Sequence, residues 1–172
     1  MVITDLSIIA RTASSKEEEN LRFQELLRKE DSDAIDKLVF ELNESISPQI
    51  DCTCCGNCCR SLMINVDCDD TERLAKHLHL SKKGFEEKYI EKSTEGTLAI
   101  MSAIPCHFLH NNKCAVYNAR PHECREFPGL HKPDFKRRLF ATFMHYDRCP
   151  IIYNVIEALK EELKIAMVSE GE

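Results

Sequence analysis

The sequence predicts an α+β fold: a small cysteine-rich domain of short strands and a hairpin, with an N-terminal helical extension and a C-terminal amphipathic helix. Three observations point there. Apolar residues recur at helical spacing near both ends, at Ile35, Leu38, Val39 and Leu42 and again at Ile152, Val155, Ile156, Leu159 and Leu163. Between them the pattern changes to alternation and to apolar runs flanking polar tips, which is the chemistry of strands and hairpins. All ten cysteines fall in that middle stretch, between Cys52 and Cys149. A length of 172 residues suits one domain with helical additions. The simplest division is a helical extension over 1–50 and a cysteine-cluster domain over 51–172 that includes the last helix.

Residues 14–45 read as two helices. Ser15, with Glu18 three residues on, makes a capping-box pattern. Leu21, Phe23, Leu26 and Leu27 give an imperfect apolar stripe, and Asp31-Ser32-Asp33 separates that helix from the next. Ser47-Pro48 ends the region, because the residue before proline avoids the helical conformation. The run Asp51 to Arg60 is too crowded for a regular strand, and Leu62, Ile64 and Val66 then alternate as a short one. Asp69 or Asp70 can cap a helix reaching about His79, and Ser81 can cap another that carries Phe85 and Tyr89.

Ser93-Thr94-Glu95-Gly96 is a turn, and Thr97 to Met101 is β-like. Cys106 to Leu109 and Cys114 to Tyr117 flank the polar tip His110-Asn111-Asn112-Lys113 as a hairpin. Arg120-Pro121 starts a short helix bearing Cys124, and Pro128-Gly129 breaks the chain again. From Asp134 the pattern is ambiguous: Phe135, Leu139 and Phe143 suit a helix, while the aromatics and Thr142 suit a strand. Pro150 opens the clearest helix, since proline at the first helical position lacks only an N–H that would have no partner there.

Composition excludes several classes. A net charge of −6 argues against a general nucleic-acid binder, and Lys132, Lys136, Arg137 and Arg138 read as a solvated face. No apolar run approaches the ~18 residues of a membrane span, and no signal-peptide pattern follows the start, so a cytoplasmic protein without membrane contact is expected. The five glycines lie too far apart for a phosphate-binding loop. Charge is segregated: residues 1–50 hold 6 basic and 11 acidic groups, 51–149 hold 15 and 13, and 150–172 hold 2 and 5. The cysteine region is therefore the only one with spare positive charge, which would help offset several thiolates around one ion.

Clustered thiols in a reducing compartment point to metal binding or catalysis rather than to structural disulfides. Cys52-x2-Cys55-x2-Cys58-Cys59 brings three or four thiols into one tight loop, and a two-residue gap lets two sulfurs face one ion. Gly56 sits where the backbone must turn sharply. A rival reading takes Cys55 and Cys58 as the CxxC pair of a thiol–disulfide oxidoreductase or redox sensor, although no βαβ pattern surrounds them. A radical-type CxxxCxxC cluster fails, because Ser61 and Leu62 stand where its third cysteine would be.

The order of motifs resembles the YkgJ-type cysteine-cluster family, a zinc- or iron-chelating domain with the signature CxxCxxCC. Cys52-x2-Cys55-Gly56-Asn57-Cys58-Cys59-Arg60 is similar to its first segment, Pro105-Cys106-His107-Phe108-Leu109 and Lys113-Cys114-Ala115-Val116-Tyr117 to its middle, and Arg120-Pro121-His122-Glu123-Cys124-Arg125-Glu126-Phe127-Pro128 with Cys149-Pro150 to its end. The resemblance implies a metal site of eight cysteines: Cys52, Cys55, Cys58, Cys59, Cys106, Cys114, Cys124 and Cys149. Cys54 and Cys68 fall outside it. Zinc takes four thiolates, or three with a histidine such as His107 or His122, and a 4Fe-4S cluster also takes four, so the spacing leaves zinc and iron level. Arg60, Lys113, Arg125 and Arg148 each adjoin one of the eight and are expected to favour thiolate over thiol. The resemblance implies a metal ion as partner and no particular substrate.

Overall fold

The structure, a computed structural model, describes residues 1–94 and 98–169, with side chains as far as residue 164. In chain order the helices are α1 (Leu6–Ser15), α2 (Glu17–Lys29), α3 (Ser32–Ile46), α4 (Cys52–Cys55), α5 (Asn57–Ser61), α6 (Cys68–His77), α7 (Lys82–Tyr89), α8 (His122–Glu126), α9 (Leu139–Phe143) and α10 (Pro150–Ser169). The strands are β1 (Ile90–Lys92), β2 (Ala99–Met101), β3 (Leu109–His110) and β4 (Lys113–Cys114), and 3₁₀ turns occupy Ser47–Gln49, Tyr117–Ala119 and Phe135–Arg138. The described residues are thus mostly helical with two small antiparallel strand pairs, consistent with α+β. It forms two compact units, Met1–Asp51 with Pro128–Glu172, and Cys52–Phe127. The expected turn at Ser93–Gly96 and β segment from Thr97 fall partly on residues 95–97, outside the described residues.

The first unit is helical. Asp5 caps α1, accepting from the Ser7 and Ile8 amides at 2.8 and 3.1 Å. The Ser15–Glu18 capping box does not form, because Ser15 is the last residue of α1 and its hydroxyl donates back to the Thr12 carbonyl at 2.8 Å. Asp31 caps α3 through the Ala34 amide at 2.9 Å. The apolar face of α10 packs on α3 and α1, with Ile9, Ile35, Val39, Ile152, Val155, Ile156 and Leu159 almost fully buried. Burying each such side chain contributes about 1.5–3 kcal/mol.

The ambiguous segment after Asp134 resolves as helix. The Asp36 carboxylate takes the Asp134 and Phe135 amides at 2.7 and 2.8 Å, and a 3₁₀ turn runs directly into α9. Two of the four basic residues here bind their own unit: Lys136 donates to the Glu30 carbonyl at 2.5 Å and Arg138 to those of Gly129 and Pro133 at 2.5 and 3.0 Å.

A charged network crosses this core. The Lys160 side chain is only 3% exposed and meets Glu19 at 2.7 Å, Glu157 at 2.8 Å and Asn20 Oδ1 at 2.6 Å. Tyr146 donates to Glu157 at 2.7 Å, and Lys16 binds the other Glu157 oxygen. Burial opposes ionisation of Glu157, but the hydrogen bonds from Lys16, Lys160 and Tyr146 outweigh it and hold the carboxyl below its ordinary value of 4.5. Nearby, Asn154 ties the N-terminal segment of the chain to α10, accepting from the Ile3 amide and donating to the Ile3 carbonyl, both at 2.8 Å.

The second unit is built on Val66, Leu74, Ala75, Phe85, Met101, Phe108, Val116 and Ala119, with Cys106 and Cys114 packed against them. β1 and β2 pair in the register Ile90↔Met101. The alternating segment Leu62 to Val66 makes only a single bridge, Asn65 opposite Ile100, rather than a strand. Its Asn65 amide and side chain are instead taken by Glu123, at 2.8 and 2.7 Å. Helix α6 is capped by Asp67, which accepts from the Asp70 amide at 2.7 Å, not by Asp69 or Asp70. It stops at His77, because His79 turns left-handed at φ 57° and the Leu80 amide reaches back to the Ala75 carbonyl at 2.9 Å. Ser81 caps α7 as expected, through the Gly84 amide at 3.1 Å.

The hairpin forms over fewer residues than expected, Leu109–His110 against Lys113–Cys114. Asn111 and Asn112 have φ of 48° and 65°, the two positive angles a tight two-residue turn needs. This tip is latched to the cysteine loop. Gly56 has φ +59°, and a Cβ there would lie 3.1 Å from both the Cα and the carbonyl oxygen of Asn112. Asn112 Nδ2 donates to the Cys54 carbonyl at 3.2 Å, Arg60 Nη1 donates to the Cys55 carbonyl at 2.8 Å, and Arg60 also binds Asn112 Oδ1.

Two stability predictions follow from these contacts. Lys160→Met removes the buried cation but leaves Lys16 and Tyr146 on Glu157 and a half-exposed Glu19, so it should cost about 1–3 kcal/mol in urea unfolding, whereas Lys164→Met, at an exposed pair with Glu161, should cost less than ~1 kcal/mol. With pH, the Glu157 contribution should be complete above 4.5 and fade as pH falls below it through the lowered folded value; equal losses for the two lysine variants would refute the network's role. Gly56→Ala combines a left-handed angle with a contact to rigid backbone, so it should destabilise by at least about 1–2 kcal/mol. A denaturation midpoint matching the parent's would show that the loop and hairpin tip are not latched.

Candidate metal centre

Each segment of the second unit delivers thiols for a local reason. Cys52, Cys54 and Cys55 sit on the single turn α4, and Cys58 and Cys59 on α5, on either side of the left-handed Gly56. The Cys106 amide donates to the Cys59 carbonyl at 2.8 Å, so the approach to the hairpin lies against α5. Cys114 is on β4, opposite Leu109. Cys124 is on α8, whose start is held by Asp70: its carboxylate, 2% exposed, accepts the His122 amide on both oxygens at 3.0 Å. Arg73 binds that same carboxylate and donates to the Ala119 and Arg120 carbonyls at 3.3 and 3.0 Å.

All ten cysteines are thiols rather than disulfides. Cys52, Cys54 and Cys68 are exposed, while Cys55, Cys58, Cys59, Cys106, Cys114 and Cys124 are half-buried. Of the latter, Cys59, Cys106, Cys114 and Cys124 stand within electrostatic reach of one another, and Cys58 acts on Cys59. The Cys58 side chain and then burial push the Cys59 thiol up, against the opposing Arg60. Burial, with the charges of Cys59 and Cys114 behind it, raises Cys106; burial and then Cys59 raise Cys114. Burial followed by Cys59, Cys106 and Cys114 pushes Cys124 up to about 12. Cys149, in contrast, is buried at the start of α10 in the first unit.

The adjacent cations act differently from their sequence positions. Arg60 does lower Cys59, but the cation opposing the rise at both Cys114 and Cys124 is Arg120, which adjoins neither. Arg148 is engaged with Asp147 at 2.8 Å. His107 Nε2 lies 3.0 Å from Ser102 Oγ, and its ring packs edge-to-face with that of Tyr89, centroids 5.2 Å apart. Cys68 lies apart, 2.8 Å from Lys82 Nζ.

Among the described residues, no group of three or more Cys, His, Asp or Glu side chains is arranged to hold a metal ion. The chemistry of the donor set nevertheless fits zinc or iron. Several soft sulfur donors share one half-buried region, and their mutual repulsion favours the thiol until a cation offsets it. The positioning is done by residues to which the sequence assigned no such role: Asp70 and Arg73 at the start of α8, Asn65 and Glu123 along it, and Asn112 at the hairpin tip. Glu123 lies inside the quoted motif and Asp70 and Arg73 have i, i+3 spacing, but their partners are distant in sequence.

No curated protein and no solved structure matches the chain significantly. The model of one family, CxxCxxCC, described as a "putative zinc- or iron-chelating domain", matches residues 51–146, more than half of the 172 in the chain. Cys149 lies beyond that match. With the cysteine loop, the hairpin and α8 all inside the matched stretch, this chain belongs to the CxxCxxCC family of zinc- or iron-chelating domains.

Proposed function

We propose that this protein binds zinc or iron through the thiolates of Cys52, Cys55, Cys58, Cys59, Cys106, Cys114, Cys124 and Cys149, a 4Fe-4S cluster being one form of the iron reading. The observation that carries it is the gathering of Cys59, Cys106, Cys114 and Cys124, from three separate segments, within reach of one another's charge. A bound cation would supply the charge compensation these thiols lack and a cross-link between α5, the hairpin and α8. Structural zinc returns on the order of 10 kcal/mol in small domains, enough to favour one arrangement of so short a set of elements. Cys58 acts on Cys59 beside it, which favours a multi-thiol site over a Cys55–Cys58 redox pair. Ten thiols without a disulfide suit a reducing compartment, and the cytoplasm is the proposed setting. No helix among the described residues is long and apolar enough to cross a membrane.

The test is anaerobic purification of the full chain with metal and acid-labile sulfide analysis, repeated on serine variants. Cys59→Ser, Cys106→Ser and Cys124→Ser should each lose most of the bound metal, and Cys54→Ser and Cys68→Ser should keep it. Cys149→Ser separately tests the residue outside the matched stretch and should also lose metal. Stoichiometric zinc without sulfide identifies a zinc site; iron with sulfide identifies a cluster. Full metal retention in Cys124→Ser would sink the proposal.

A further inference from the structure

Arg120 joins the Tyr117–Ala119 turn to α8, between the segments that carry Cys114 and Cys124. Its side chain is held in place. The guanidinium stacks on Tyr117, 3.8 Å from the ring centroid, and Nη1 donates to the Tyr117 carbonyl at 3.4 Å. Its own carbonyl accepts from Arg73 at 3.0 Å. Yet Arg120 Nε is buried and has no hydrogen-bond partner. A buried donor without an acceptor is costly, so a donor fixed this firmly is suited to an acceptor that arrives later. Arg120 is also the cation whose charge acts on both Cys114 and Cys124. A neutral thiol is a weak acceptor, whereas a metal-bound thiolate is a charged one that strengthens the bond. Arg60 does not play this part at Cys59, because its guanidinium is already bound to the Cys55 carbonyl and Asn112.

We propose that Arg120 donates its Nε–H to a metal-bound thiolate of the Cys114–Cys124 pair, as the positioning residue that orients that sulfur and offsets its charge. This rests on the metal reading above. It assigns the arginine of the Arg120-Pro121 turn a role toward the site, in place of the adjacent Lys113 and Arg125 that sequence neighbourhood suggests.

The test loads the full chain with cobalt(II) as a spectroscopic probe and compares parent, Arg120→Gln, Arg120→Lys and the surface control Arg22→Gln. Affinity is read by chelator competition and sulfur donation by the energy of the thiolate-to-cobalt charge-transfer band. Both Arg120 variants should bind about 10- to 100-fold more weakly, as loss of an outer hydrogen bond does. Both should move the band to lower energy, because the sulfur lone pair loses a donor that stabilised it; the control should change neither. Arg120→Lys keeps the long stem and the charge, guarding against simple misfolding, but lacks the Nε–H. A parental band and affinity in both variants would overturn the inference. So would a parental Arg120→Lys beside a shifted Arg120→Gln, since charge alone would then suffice. A parent that binds no cobalt would instead refute the metal reading, and this inference with it.

Discussion

Thiols crowded into a half-buried space cannot all ionise in one another's company. That constraint governs the second unit. Cys59, Cys106, Cys114 and Cys124 lose water together, and each adds to the cost of charging the next. Arg60 and Arg120 oppose the rise and do not cancel it. The unit therefore holds a set of soft donors whose charged form needs further positive charge, which a zinc or iron ion would bring. The surplus of two basic groups over residues 51–149 does not supply it, because the unit itself, residues 52–127, holds ten basic and ten acidic groups.

Holding such a set near one place requires contacts that do not depend on the thiols themselves. Asp70 and Arg73 fasten the start of α8, and Glu123 fastens its side to Asn65. Gly56 and Asn112 close the cysteine loop onto the hairpin tip, in an arrangement that a β-carbon on residue 56 would crowd. These are hydrogen bonds between polar groups far apart in sequence, and each fixes a short element too small to be stable by itself. The first unit uses another device. Its helices are long enough to bury an apolar face, and two lysines, the buried Lys160 and Lys16, join Glu19 of α2 to Glu157 of α10.

Local signals alone determined a good deal. The periodicity of α3 and α10, the proline at the start of α10, the caps at Asp31 and Ser81 and the asparagine pair of the hairpin are interactions spanning four residues or fewer, so the residues that make them are neighbours in the chain. The cysteine motif placed this chain in its family for the same reason, since the spacing of Cys52, Cys55, Cys58 and Cys59 is local. Where two local solutions competed, the sequence left the choice open or pointed to the wrong one. Asp67 rather than its neighbours caps α6, Ser15 ends a helix instead of beginning one, and Leu62 to Val66 alternates without becoming a strand. Only the tertiary structure decided which cation stands beside Cys114 and Cys124, which acid anchors α8, and that Cys149 folds with the helical unit. The last two outcomes depend on backbone paths closing across tens of residues, and nothing in the identity of adjacent side chains encodes such a closure.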